Sequence, residues 1–289
     1  MRLHLSRRQP EIPLILAVQI SRASSRQLRR LLPKAIFCAV PFGHLVHRVA
    51  RNRLTWMDQR MQNIVQVAGI IDSEEAKLCF ENGADWIGFP LRLPSGKDDI
   101  SEADSTTIIK GLKAPQRAVL ISYMTTADEI SQFCDQLGLD AVQIHGDIPM
   151  AELAKLRSDR PDLYLLKSLV VSSDNLPELR KLIDDSAEYV DMYITDTFDP
   201  KTGAKGATGL THDWNVSAEL ARYSPKPLMM AGGLSPDNVY DAILAVRPAA
   251  VDAHSLLEGV DKRKCAEKVR AFCAEAKRAF SELSLQITQ

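Results

Sequence analysis

Three short segments of this 289-residue chain carry side chains able to move protons, and two carry backbone suited to gripping an anion. Asp196 closes the apolar run Asp191-Met-Tyr-Ile-Thr-Asp196. A carboxyl at the end of a strand can serve as a general acid if partial burial raises its pKa, or can simply cap the strand. In Ala141-Val-Gln-Ile-His-Gly-Asp147, alternation puts Gln143 and His145 on one face of a strand, with the histidine at its end. That histidine reads equally as a ligand-facing group or as one satisfied by backbone. In Ala250-Val-Asp-Ala-His-Ser255, Asp252 and His254 alternate in the same way. Gly232-Gly233 stands before Leu-Ser-Pro-Asp-Asn238, a turn leading to a helix N-terminus where phosphate commonly binds. Gly203-Ala-Lys-Gly206-Ala-Thr-Gly209 is a second glycine-rich loop, open to a backbone anion contact or to a lid role.

These segments need a frame that brings strand ends together. From residue 62 the chain alternates short apolar runs with amphipathic segments. Strands are expected at 64–68, 84–90, 118–123, 141–144, 164–170, 189–195, 227–231 and 249–253, with a helix after each. Eight strand–helix units predict an α/β fold, a closed (β/α)8 TIM barrel over residues 61–289, whose site lies at the carboxyl ends of the strands. An open doubly wound sheet would want fewer strands and a glycine-rich first turn.

With 45% hydrophobic and 25% charged residues, the chain suits one large domain. Its five cysteines are odd in number and lack CxxC spacing, which points to reduced thiols and to no metal site. No apolar run is long enough to span a bilayer. Residues 1–60 hold twelve Lys/Arg and two acids, a net +10 against −1 for the whole chain. An acidic barrel with a basic leader argues against nucleic-acid binding by the barrel. The leader reads as an organelle transit peptide, as a basic arm, or as sequence upstream of a true start at Met57 or Met61; low order is expected before residue 60. The expected setting is the cytoplasm, or an organelle if the leader is a transit peptide.

Taken together, VQIHGD (142–147), YITD with GATG and HDW (193–214), MAGGLSPDNV (230–239) and AVDAHS (250–255) resemble the phosphoribosylanthranilate isomerase family over about residues 62–280. The resemblance implies an Amadori rearrangement in tryptophan biosynthesis, on a small phosphorylated sugar, with no cofactor, by a monomer or homodimer. It implies Asp196 as the acid that opens the sugar ring. It implies a phosphate held by Gly232 and Gly233, with help from Gly206, Gly209 and Ser255, and a ligand contacted by His145 and Gln143.

Three departures from the family pattern matter. The family's first strand reads Lys-Ile-Cys-Gly-Ile, and its cysteine is the base; here Gln66-Val-Ala-Gly-Ile70 stands instead, so Ala68 has nothing to ionise. The loop after the second strand offers Lys97 as a positive charge, beside Asp98 and Asp99, which are expected to repel an anion. After strand eight the family's Ser-Ser-Gly becomes His254-Ser255-Leu256. Because strand eight neighbours strand one in a closed barrel, His254 is a candidate to replace the base; bonding to Asp252 or turning to solvent are the plainer alternatives. A divergent enzyme on another sugar phosphate, or a barrel that binds without catalysis, also fits the loss of the cysteine.

Overall fold

The computed structural model describes residues 63–172, 174–197 and 213–287. The expectations for the leader, for a start at Met57 or Met61, and for Gly206 and Gly209 lie outside these residues. In the described part, eight parallel strands close into a barrel in chain order. They are β1 (Ile64–Ala68), β2 (Trp86–Leu91), β3 (Arg117–Ser122), β4 (Ala141–Ile144), β5 (Tyr164–Val171), β6 (Met192–Thr197), β7 (Leu228–Met230) and β8 (Ala250–Ala253). The helices between and after them are α1 (Ser73–Glu81), α2 (Glu102–Gly111), α3 (Ala127–Leu137), α4 (Met150–Asp159), α5 (Leu176–Ser186), α6 (Trp214–Tyr223), α7 (Val239–Val246) and α8 (Ala266–Ile287). Among the described residues no helix is long and apolar enough to cross a membrane.

Strand alternation divides the core. Val65, Val67, Ile87, Phe89, Leu120 and Val251 face outward into the continuous apolar layer beneath the helices. The registers Gln66↔Asp252, Ala68↔Gly88, Ile121↔Gln143, Val170↔Asp196 and Met229↔Ala250 put the other set inside. Low in the barrel, Trp86 and Tyr164 meet edge to face at 5.8 Å, and the Arg117 guanidinium lies 5.3 and 5.1 Å from their ring centres. Aromatic and cation–π contacts thus fill that end of the barrel. Towards the carboxyl ends the inner face turns polar, with Gln66, Gln143, Ser168, Asp196 and Asp252.

Caps set several helix starts. Asp72, Ser101 and Thr126 accept N–H bonds from the first turns of α1, α2 and α3. Asp213 does the same for α6, which begins at Trp214. Before the last helix Glu258 and Lys264 pair as an antiparallel bridge, and α8 begins after it at Ala266. Asp196 lies within β6, not in the loop after it, so sheet hydrogen bonding holds its backbone.

Buried Glu75 ties the ends of the chain together. Its carboxylate accepts the Ile71 N–H at 3.2 Å and the Lys264 N–H at 2.8 Å, joining the entry of α1 to the segment before α8. Replacing Glu75 with Ala would leave the buried Lys264 N–H and the part-buried Ile71 N–H without this acceptor. The expected cost is about 2–4 kcal/mol of unfolding free energy, measured by urea titration; a change below about 0.5 kcal/mol would contradict this role.

Candidate active site at the carboxyl ends of the strands

Two groups of polar side chains face each other across the barrel mouth. The first is built by β3, β4 and β6. Asp196 Oδ1 accepts the Thr197 N–H at 2.8 Å, and Oδ2 lies 3.2 Å from His145 Nε2. The buried His145 ring stacks on Tyr123 at 4.7 Å with 28° between the planes. Gln143 Nε2 donates to Ser168 Oγ at 3.0 Å. His145 Nδ1 and Gln143 Oε1 are buried without a hydrogen-bond partner among the described residues. Asp196 and His145, singled out separately in the sequence, are in direct contact. Tyr123 was not picked out from the sequence, although it continues the inward alternation of β3 past Ile121. Burial, and then the charge of Asp196, raise its hydroxyl pKa above the usual tyrosine value.

The second group lies where β8 closes on β1. Gln66 and Asp252 are register partners, and both are buried. Both amide atoms of Gln66 and Oδ1 of Asp252 lack a hydrogen-bond partner. Burial pushes the Asp252 carboxyl up to about 7. The nearby Gln66 amide restrains the rise, although no hydrogen bond of normal length joins the pair; the charge of Asp196 adds to it and Lys264 opposes it.

One layer higher, His254 packs its ring onto Gly69. A Cβ at Gly69 would lie 2.0 Å from His254 Nε2, and the φ of 73° there also favours glycine. His254 thus stands beside the Ala68 position. Its hydrogen-bonding neighbour is not Asp252. Nε2 lies 3.4 Å from Glu258 Oε1, and the same carboxylate holds the buried Lys264 ammonium at 3.1 Å. Burial, then the charge of Lys264, lower His254 to about 4, against the pull of Glu258, Asp99 and Asp196. The imidazole is therefore neutral near pH 7. Beside it, Ala68 and Gly88 present only a methyl group and a hydrogen to the mouth; a Cβ on Gly88 would sit 3.1 Å from that of Ala68.

The remaining expected residues are placed as follows. Gly232 and Gly233 take left-handed φ values of 99° and 66° in the turn before α7. Asn238 holds that turn, donating to Gly233 O at 2.9 Å and accepting the Ser235 N–H at 2.8 Å. Ser255 opens a short 3-10 turn, Ser255–Leu257, after the adjacent β8. Lys97 is exposed on the loop after β2. Asp98 does not stand free against an anion as expected, because its carboxylate accepts the Arg92 and Leu93 N–H groups at 2.7 and 2.8 Å and folds that loop. Cys79 is fully buried outside the barrel with its thiol pushed up to about 12, so it supplies no base. Among the described residues no group of three or more His, Cys, Asp or Glu could hold a metal ion.

Residues 65–275 match the family model described as N-(5'phosphoribosyl)anthranilate (PRA) isomerase. N-(5'-phosphoribosyl)anthranilate isomerase 2 of Methanosarcina mazei is 32% identical over 217 residues, covering 75% of this chain and 95% of that protein. The corresponding isomerase of Haloarcula marismortui is 32% identical over 216 residues, covering 74% and 96%. Among solved structures, phosphoribosyl anthranilate isomerase of Thermotoga maritima superposes with a TM-score of 0.64 at 29% identity, covering 74% of this chain and 98% of that one. A phosphoribosyl anthranilate isomerase complexed with reduced 1-(o-carboxyphenylamino)-1-deoxyribulose 5-phosphate gives 0.62 at 26% identity, covering 74% and 98%.

The two perturbed groups act oppositely on stability. The Asp252 pKa is raised on folding, so its contribution is complete below its unfolded value of 3.8 and is lost as pH rises through about 7. The His254 pKa is lowered, so its contribution is complete above its unfolded value of 6.5 and is lost as pH falls through about 4. Asp252→Asn should therefore stabilise the protein more at about pH 8 than at about pH 4, read as the shift in urea midpoint. An equal shift at both would contradict burial of a titrating carboxyl.

Proposed function

The chain belongs to the N-(5'-phosphoribosyl)anthranilate isomerase family, and on that premise we propose how its own side chains carry the reaction without the family's cysteine. The family is one of isomerases, intramolecular oxidoreductases of tryptophan biosynthesis. The substrate is the N-aryl aminoribose 5-phosphate and the product its open-chain aminodeoxyribulose phosphate.

Asp196 is the general acid. It gives its proton to the furanose ring oxygen, the C1–O bond breaks, and the nitrogen lone pair forms the iminium. His145, held by Tyr123, orients that carboxyl through Oδ2. The His145–Asp196 contact is the observation that carries this reading, because it pairs a histidine with a carboxyl at the mouth of the barrel. The C2 proton then leaves to a base at the carboxyl end of β8. His254 is a candidate for that base: its neutral imidazole stands against Gly69, next to the place a thiol would occupy.

The phosphate lies on the turn at Gly232 and Gly233, with Ser255 beside it and the N-terminal end of α7 behind it. By the family resemblance Gly206 and Gly209 are assigned to the same phosphate, and Lys97 adds positive charge at the rim. The ligand's polar groups meet Gln143 and His145, whose unpartnered buried atoms need such a match. The enzyme works in the cytoplasm, as a monomer or homodimer. The specific observation in favour of another sugar phosphate as substrate, or of binding without catalysis, is the methyl group of Ala68.

Freshly generated phosphoribosylanthranilate, incubated with the full chain, should lose its anthranilate-type fluorescence. Asp196→Asn should lower that rate by about 10²–10⁴-fold. A rate that survives Asp196→Asn would exclude this carboxyl as the acid, and no turnover by the unaltered chain would refute the family reaction.

A further inference from the structure

We propose that Asp252, beneath His254, is the base that takes the C2 proton, and that Gln66 and Ala68 on β1 together make this possible. The inference rests on the family reaction and refines it at one step.

The geometry favours the carboxyl over the imidazole. Asp252 belongs to the inward set of β8, paired in register with Gln66. Its Oδ1 is buried and without a hydrogen-bond partner among the described residues, so it keeps a lone pair free to accept a proton. His254, past the end of β8, has Nε2 against Gly69 and near Glu258, towards the seam with β1. Ala68 lies one inward position above Gln66, and its short side chain leaves the approach to the strand beneath less crowded than a longer one would.

Charge tells the same story. The polar and charged groups acting on Asp252 are Gln66 from β1, Asp196 from β6 and Lys264 from the segment before α8. β7 contributes apolar Met229, and Ala231 follows it. Lys264 is already paired with Glu258. At position 66, where the family strand reads lysine, an ammonium would hold Asp252 ionised and spent in an ion pair. Neutral Gln66 leaves it poised near 7, where a carboxyl accepts a proton most usefully at neutral pH. In the same strand the thiol base is gone. The two changes on β1 are thus one exchange: a cation and a thiol are lost, and a structural carboxylate becomes a proton acceptor.

The step balances simply. The C2–H bond breaks, its electron pair becomes the C1=C2 bond, the C1=N π pair returns to nitrogen, and the proton forms O–H on Asp252. The enolamine then gains a proton at C1 and loses the proton of its C2 hydroxyl to give the ketone.

The test is kcat/KM for phosphoribosylanthranilate across pH in the full chain. Asp252→Asn should lower it by about 10²–10⁴-fold, while affinity for reduced 1-(o-carboxyphenylamino)-1-deoxyribulose 5-phosphate stays within about threefold. His254→Gln should cost about tenfold or less. In the unaltered chain the rate should fall below about pH 7, and Gln66→Lys should move that limb down by about a pH unit or more. Adding Ala68→Cys to Asp252→Asn should restore at least about tenfold. If His254→Gln abolishes turnover while Asp252→Asn retains it, His254 is the base and the proposal is overturned. An acid limb unmoved by Gln66→Lys would overturn it as well. No turnover by the unaltered chain would bring down the family reaction itself, a result distinct from either.

Discussion

The closure of β8 against β1 is the constraint on which the rest of the mouth depends. It joins the two ends of the barrel sequence in one register, Gln66 opposite Asp252 and Val67 opposite Ala253. Without it Asp252 would be an acid near a strand end, and Gln66 an amide far away in the chain. With it, a carboxyl and an amide share a buried layer in which neither finds a full set of partners. Low dielectric then does what it does to any isolated carboxyl and favours the neutral form. Glu75 secures the same seam from outside, by bonding the backbone on both sides of it.

The opposite wall works by different physics. Asp196 is anchored by the Thr197 N–H and faces a histidine, and that histidine is clamped by an aromatic ring. Two carboxyls therefore sit across one mouth in unlike surroundings, one hydrogen-bonded and partly exposed, the other buried and raised. Separation of roles between two acids by environment alone is a recurrent basis for acid–base chemistry near neutral pH. On the proposed reading the chain uses this division of labour in place of a thiol.

Much of the frame was legible in the sequence because it rests on local rules. Ile64–Ala68, Ser73–Glu81, Ala127–Leu137 and Ala141–Ile144 fall where apolar runs, caps and a left-handed Gly138 place them. The proximity of His254 to the first strand followed from barrel closure, whereas the contact of His145 with Asp196 was not foreseen, because it joins strand ends distant in sequence. What could not be read depended on contacts distant in sequence. The link of His254 to Glu258 and Lys264 needs the short turn after β8. The folding of Asp98 onto the Arg92 and Leu93 N–H groups gives that carboxylate a structural role that the sequence of the loop did not show. The perturbation of Asp252 exists only because the barrel closes and Gln66 is uncharged.

The central claim is that this barrel carries its family's rearrangement with carboxyl chemistry in place of a thiol. The most direct test is the pH dependence of phosphoribosylanthranilate turnover by the full, unaltered chain. The account predicts measurable turnover that rises with pH and levels off above about 7, as a base with the pKa of Asp252 ionises. A rate with no acid limb between about pH 5 and 8, or no turnover at all, would contradict it.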